Sequence, residues 1–268
     1  MRCLTFLLVI LAIYSCRPGS TTGEQTATGE STSSSTALTP ELREAYTQFQ
    51  AAREHLPARQ IQEAGKLYPV DEALRDTVFF VWRETLLDAV QQKDIFTLME
   101  GMAEDIKVSF GAENGTAAFI EQWDLQSEAR TAQSPVWGHL EEVLLGGGVF
   151  TANSNRFEAP YVAATWPSNQ DPHQRAVITG AGVRIREAPS LQSGIATVAS
   201  HTFVNYGSRT DQQTTIGDET YSWHQIETDT GTEGYVWGKY VRSPLSYRAV
   251  FERSSSGQWQ MVLFLAGD

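Results

Sequence analysis

The sequence predicts an α+β protein: a mainly helical first half, a small β-barrel after it, and a last β-hairpin that returns to the first half. Three observations carry this. Apolar residues recur at helical spacing up to about residue 145. From about residue 175 the period drops to 2, with Gly, Pro, Ser and Asp punctuating short β-rich runs. Two further alternating runs then follow, after the barrel pattern is complete. The 268 residues are 41% hydrophobic and 19% charged, enough apolar material for one or two ordinary cores. A formal charge of −12 argues against nucleic acid as the main partner, because the phosphate backbone rewards basic patches.

Residues 1–15 read as a signal segment. Met1-Arg2-Cys3 is followed by an apolar run from Leu4 to Tyr14, too short for the roughly 20 residues a spanning helix needs. Cysteine stands directly after the small Ser15. Ile13-Tyr14-Ser15-Cys16 resembles the lipobox of bacterial lipoproteins, with Tyr14 bulkier than usual. The resemblance implies cleavage before Cys16, a diacylglyceryl group on its sulfur and acylation (palmitate) of the new amino group. The membrane partner is then the lipid bilayer, reached through acylated Cys16. Arg17 follows, with no aspartate and no acidic cluster, which by lipoprotein sorting rules implies the periplasmic face of the outer membrane.

Residues 16–38 read as a tether. Fourteen of the twenty-one residues from Arg17 to Ala37 are Ser, Thr or Gly, too polar to offset the entropy of ordering. As a flexible coil it spans about 25 Å on average and about 70 Å stretched.

Residues 39–174 are expected to be mainly helical. Thr39-Pro40-Glu41 is a helix start, with Thr as N-cap and Pro at the first helical position. Leu42, Tyr46, Phe49, Ala52 and Leu56 then keep near-helical spacing. A second helix is expected over 71–91, with Leu74, Val78, Val81, Trp82 and Leu86 as its apolar stripe, and a short third over 95–103. Residues 106–110 alternate and predict a strand. Helices follow around 116–125 and 136–145, the last ended by Gly146-Gly147-Gly148. Trp82, Trp123 and Trp137 fall on helical apolar faces and are expected in the core.

Residues 175–243 predict strands at 176–179, 183–186, 195–198, 202–206, 221–228 and 234–237. Val183-Arg184-Ile185-Arg186-Glu187-Ala188-Pro189-Ser190 resembles the opening motif of bacterial SH3-like domains. Ile195–Val198, Trp223–Ile226, Gly234-Tyr235-Val236 and Tyr240-Val241 resemble its later strands in order. Arg184, Ala188 and Tyr235 depart from the usual Asn, Gly and Trp, and the polar stretch Ser208–Thr220 lengthens one loop. The resemblance implies a small SH3-like barrel that binds peptidoglycan peptides or an envelope protein. Tyr206, Tyr221, Trp237 and Tyr240 are the candidate ligand-binding aromatics, because rings give large contact area with few rotamers to freeze. Trp223 and Tyr235 are expected in the barrel core, and Trp237 and Tyr206 outside it.

Residues 244–268 hold the last hairpin, 247–253 and 258–265, joined by Ser254-Ser255-Ser256-Gly257. It is expected to pair with the 106–110 strand, which makes the barrel an insertion docked rigidly on the helical half. Helices plus such a hairpin loosely resemble the cone-shaped nuclear-transport-factor-like folds. Val108–Gly111, Ala159–Ala163 and Leu265–Asp268 are similar to stretches of uncharacterised bacterial SH3-containing envelope proteins.

No catalytic residue, metal ligand or cofactor is expected. Cysteine is absent after Cys16, which excludes a cysteine nucleophile. Histidines come no closer than 23 residues, so no His-x-x-x-His pair exists. His139-Leu140-Glu141 lacks the cysteine pair of a zinc deaminase. The triple glycine follows a helix instead of opening one, so it is no phosphate cradle. Glu104, Asp105, Glu141 and Glu142 read as solvated. The reading is therefore a non-catalytic, lipid-anchored envelope protein that binds wall peptide or a protein partner, not nucleic acid. Two alternatives are a wall hydrolase using distant carboxylates such as Asp105 or Glu113, and an assembly protein whose barrel only braces the helical half.

Overall fold

The computed structural model describes residues 40, 43–44, 47, 63–151 and 154–267. The signal segment, Cys16, the tether and most of the first expected helix lie outside these. Pro40, Arg43, Glu44 and Thr47 are helical. The described residues from 63 onward belong to one compact unit with an α+β fold.

After a 3₁₀ turn at Ala73–Arg75, helix α1 runs Thr77–Gln92. It starts later than its sequence pattern suggests because Asp76 is the cap, accepting from the Val78 and Phe79 amides. The buried face is accordingly Phe79, Phe80, Val81, Leu86, Ala89 and Val90, while Val78 points outward. Lys93 closes the helix in the left-handed region, and α2 (Ile95–Glu100) opens on the Asp94 cap. Strand β1 then occupies Met102–Lys107, so the expected helix stops early and the strand comes sooner; Phe110, expected in that strand, is exposed. Helices α3 (Thr116–Gln122), α4 (Glu128–Gln133) and α5 (Val136–Leu145) follow. Strands β2 (Val149–Thr151) and β3 (Arg156–Ala159) and the short α6 (Tyr161–Ala164) complete this half.

The second half is a curled antiparallel sheet: β4 (Arg175–Ile178), β5 (Val183–Arg186), β6 (Ile195–Ala199), β7 (Phe203–Ile216), β8 (Glu219–Thr228), β9 (Glu233–Trp237) and β10 (Val241–Arg242). Their order is β10-β4-β7-β8-β9-β5-β6. Residues 208–220 are a correction. The expected loop is the long arm of the β7–β8 hairpin, paired out to Ile216 and Glu219 and turned at Gly217-Asp218. Its side chains are almost all polar, so no apolar alternation announces it.

The C-terminal hairpin, β11 (Tyr247–Arg253) and β12 (Trp259–Ala266), lies in the other sheet, of order β1-β12-β11-β3-β2. There β12 runs parallel to β1, and β11 is antiparallel to β3. The chain therefore leaves this sheet after β3, builds the curled sheet and comes back.

Each half has its own apolar core. In the first, the Phe79 ring centre lies 4.4 Å from that of Phe157, 4.7 Å from Trp259 and 5.4 Å from Phe150. Trp123 and Trp137 are buried as expected, and Trp82 is packed against the cluster. In the second, Ile178, Ile185, Val204, Ile226 and Val236 pack together. A third cluster joins them: Tyr161 and Val162 of α6 meet Val177 and Phe203 of the curled sheet, with Leu67, Val70 and Trp166 against them.

A strap along this seam hydrogen-bonds to both halves. The Leu67 amide donates to His201 O (2.7 Å), and Lys66 Nζ donates to Ser200 O (2.7 Å). A few residues on, Gly148 N donates to Val70 O (3.0 Å) and Glu72 N to Gly148 O (2.9 Å). The triple glycine serves this contact. Gly146 caps α5, Gly147 sits at φ +63°, and a Cβ on Gly148 would lie 2.3 Å from Glu158 O.

Candidate aromatic and histidine site

The candidate aromatics fall into two groups because strand β8 sends alternate side chains to opposite faces. Tyr221, Trp223 and Gln225 take one face; Ser222, His224 and Ile226 take the other.

On the first face, Trp223 sits opposite Trp237 of β9. Both indoles are buried, at 1% and 4% exposure. The β7 arm covers them: Trp223 Nε1 donates to Thr214 Oγ1 (2.8 Å) and Trp237 Nε1 to Thr214 O (2.9 Å). This corrects the expectation that Trp237 is exposed. The polar arm, unread in the sequence, lies over it. Tyr221 packs edge-on to Trp237 at 5.1 Å, and Tyr240 is tilted against it at 5.9 Å. Tyr240, 37% exposed, is the open end of this ladder. Tyr235, expected in the core, stays partly exposed.

The ladder reaches the helical half. Arg242 places Nη1 2.7 Å from Gly238 O and Nη2 3.0 Å from Glu142 of α5. Burial, then the nearby Glu142 charge, push the Tyr221 phenol above the ordinary range. Glu142 is thus not merely a solvated helix residue but an ion-pair partner across the seam. Near it, Tyr161 is 5% exposed and its hydroxyl has no hydrogen-bond partner among the described residues. Burial holds that phenol protonated. At the ladder's edge, Lys239 pairs with Glu219.

On the second face, Tyr206 is separate from the ladder and corrected from exposed to half-buried. Its hydroxyl lies 2.9 Å from His224 Nδ1. Burial, and then the Arg209 and Arg242 guanidiniums, push the His224 pKa down to about 4, so the ring is neutral at pH 7. Arg209 Nε donates to Ser222 Oγ (3.0 Å). Sequence reasoning missed His224, Arg209, Ser222 and Arg242. Histidine at an alternate position of an aromatic strand is the only signal that marks any of them.

The candidate acids do not assemble. Glu104, Asp105 and Glu113 are exposed, and Glu141 accepts from Gln91. Among the described residues no group of three His, Cys, Asp or Glu side chains is placed to hold a metal ion. Among them, too, no helix is long and apolar enough to cross a membrane. Comparison with known protein families, with curated proteins and with solved structures finds no match.

Proposed function

We propose that the chain is a lipid-anchored envelope protein that acts by binding, with its curled sheet serving as an SH3-like module for wall peptide or an envelope protein. One observation carries the reading furthest. The residues resembling SH3-like motifs fall in order on five strands of one curled antiparallel sheet: 183–186 on β5, 195–198 on β6, 223–226 on β8, 234–236 on β9, and 241 on β10. The partly exposed end of the aromatic ladder at Tyr240 suits recognition of an extended peptide, since a ring contributes area at small entropic cost. The Ile13–Cys16 segment and the Ser/Thr/Gly tether support anchoring through Cys16 on the periplasmic face of the outer membrane.

The anchor is tested by metabolic labelling with palmitate. The wild-type chain is expected to take up label and sediment with membranes, and Cys16→Ser to lose both. Incubating the soluble protein with wall sacculi tests the module. Retention without soluble muropeptides supports binding, and release of muropeptides would favour the hydrolase reading instead.

A second reading has its own observation. The Arg242–Glu142 ion pair and the 66–72 strap tie the curled sheet to the helical half, as a brace requires. A protein that neither sediments with sacculi nor captures an envelope partner would fit that reading.

A further inference from the structure

Strand β7 departs from regular pairing on both sides of one residue. Between Tyr206 and Arg209 it carries an extra residue relative to β8, and between Arg209 and Gln213 it bulges again. Bulges bend a strand and re-aim its side chains, and they concentrate beside functional sites. The residue held between them is exposed Arg209, directly opposite His224.

Arg209 is anchored but not neutralised. Its Nε donates to Ser222 Oγ, and Ser222 is 5% exposed, so the planar head is held from one edge. Among the described residues it forms no ion pair, although the chain carries 32 acids against 20 basic residues. Its neighbours in the curled sheet differ: Arg175 pairs with Asp229 and Arg242 with Glu142. Arg184 is also exposed, but among the described residues no side chain holds its guanidinium. Beside Arg209, His224 is neutral and meets the Tyr206 hydroxyl at Nδ1. With Tyr206 as donor, the imidazole proton sits on Nε2. A Cβ at position 238 would lie 3.0 Å from that nitrogen, so glycine there gives the ring room.

We propose that Arg209 and His224 form a seat for a peptide carboxylate, with Ser222 and Tyr206 as positioning residues. The free Nη edge of Arg209 offers the planar fork that matches two carboxylate oxygens, and His224 Nε2–H adds a neutral donor. One guanidinium and one neutral ring suit a monoanion. A polyanion would gather more cations and would be repelled by a chain of charge −12. The seat rests on the reading of the curled sheet as a peptide-binding module and specifies the chemistry that module recognises.

The test is titration of the soluble full mature chain, carrying Cys16→Ser, with a synthetic stem pentapeptide bearing free carboxylates and with its fully amidated counterpart. The free acid is expected to bind about tenfold more tightly than the amide, as loss of a charge-assisted contact implies. Arg209→Gln should bring the two within about twofold, Arg209→Lys should keep part of the preference, and Ser222→Ala should weaken the acid alone by about threefold. Nitrogen NMR should show the Nε2–H tautomer of His224 shifting with the acid and not with the amide. Equal binding of acid and amide, binding of neither, or an undiminished preference in Arg209→Gln overturns the seat. Sacculus retention of the same protein separates the two claims. Retention without acid preference removes the seat and leaves the wall-binding reading, whereas acid preference without retention leaves the seat and removes that reading.

Discussion

The strap that joins the halves is fixed to α1 by a buried ion pair, and removing one charge from it has a calculable cost. Arg83 Nη1 lies 2.9 and 2.8 Å from the two Asp71 carboxylate oxygens, and both side chains are 4% exposed. Asp71 Oδ1 also accepts from the Ala73 amide (3.0 Å). Asp71→Asn keeps shape and leaves that amide an acceptor, but strands the guanidinium away from water. Breaking a buried pair from one side costs about 3–5 kcal/mol. Glu84, 3.1 Å from Nη2 and 31% exposed, still faces the cation, which places the cost near the lower end, about 3 kcal/mol. For a protein of this size that lowers Tm by about 6–12 °C. The assay is thermal and guanidinium unfolding followed by tryptophan fluorescence. The double variant Asp71→Asn/Arg83→Met removes both charges and should be more stable than Asp71→Asn alone, with a coupling energy of at least about 2 kcal/mol. A loss below about 1 kcal/mol in the single variant, or simple additivity in the double, would show that the pair does not hold the strap to α1.

Stability should also fall in mild acid. The His224 pKa lies at about 4 in the fold against an ordinary 6.5, so the unfolded chain binds more protons in that window. Its contribution is intact above pH 6.5 and lost as pH falls to about 4. The loss should be about 2 kcal/mol, discounted because the ring keeps some solvent contact. Melting curves at pH 7 and pH 5 should show a smaller difference for His224→Asn than for wild type; an equal difference would assign the effect elsewhere. Gly148→Ala drives a Cβ into Glu158 O and the Phe157 ring, so it should cost about 1–3 kcal/mol by chemical denaturation. Trp237→Phe removes the bond to Thr214 O and should cost about 1 kcal/mol while freeing the 208–220 arm, read as faster amide exchange there.

Where the sequence was informative, periodicity and punctuation agreed. Val183–Arg186 alternates between Gly182 and Pro189 and is a strand with those bounds, and Val136–Leu145 is a helix to the residue. Tertiary context decided the rest. Met102–Lys107 continues a helical pattern but is drawn out by pairing with β12, to which it contributes only Met102, Ala103 and Ile106 as buried residues. Strands β2 and β3 are three and four residues long and depend on the returning hairpin, a partner some ninety residues away. The polar arm has no hydrophobic face to read, and so Trp237, which it covers, looked exposed. Of the candidate site, the ladder Tyr221–Trp237–Tyr240 was visible as aromatic residues. The Arg209–His224 pair was not, since it arises only from the bulged register of β7 on β8.

The proposed binding of the wall through the curled sheet is tested most directly by sacculus retention at low salt. The soluble chain carrying Cys16→Ser is compared with the same chain carrying Tyr240→Ala. The first is expected to be retained, and loss of the exposed ring to weaken retention about tenfold with the fold intact by circular dichroism. No retention of the first chain, or equal retention of both, would contradict it.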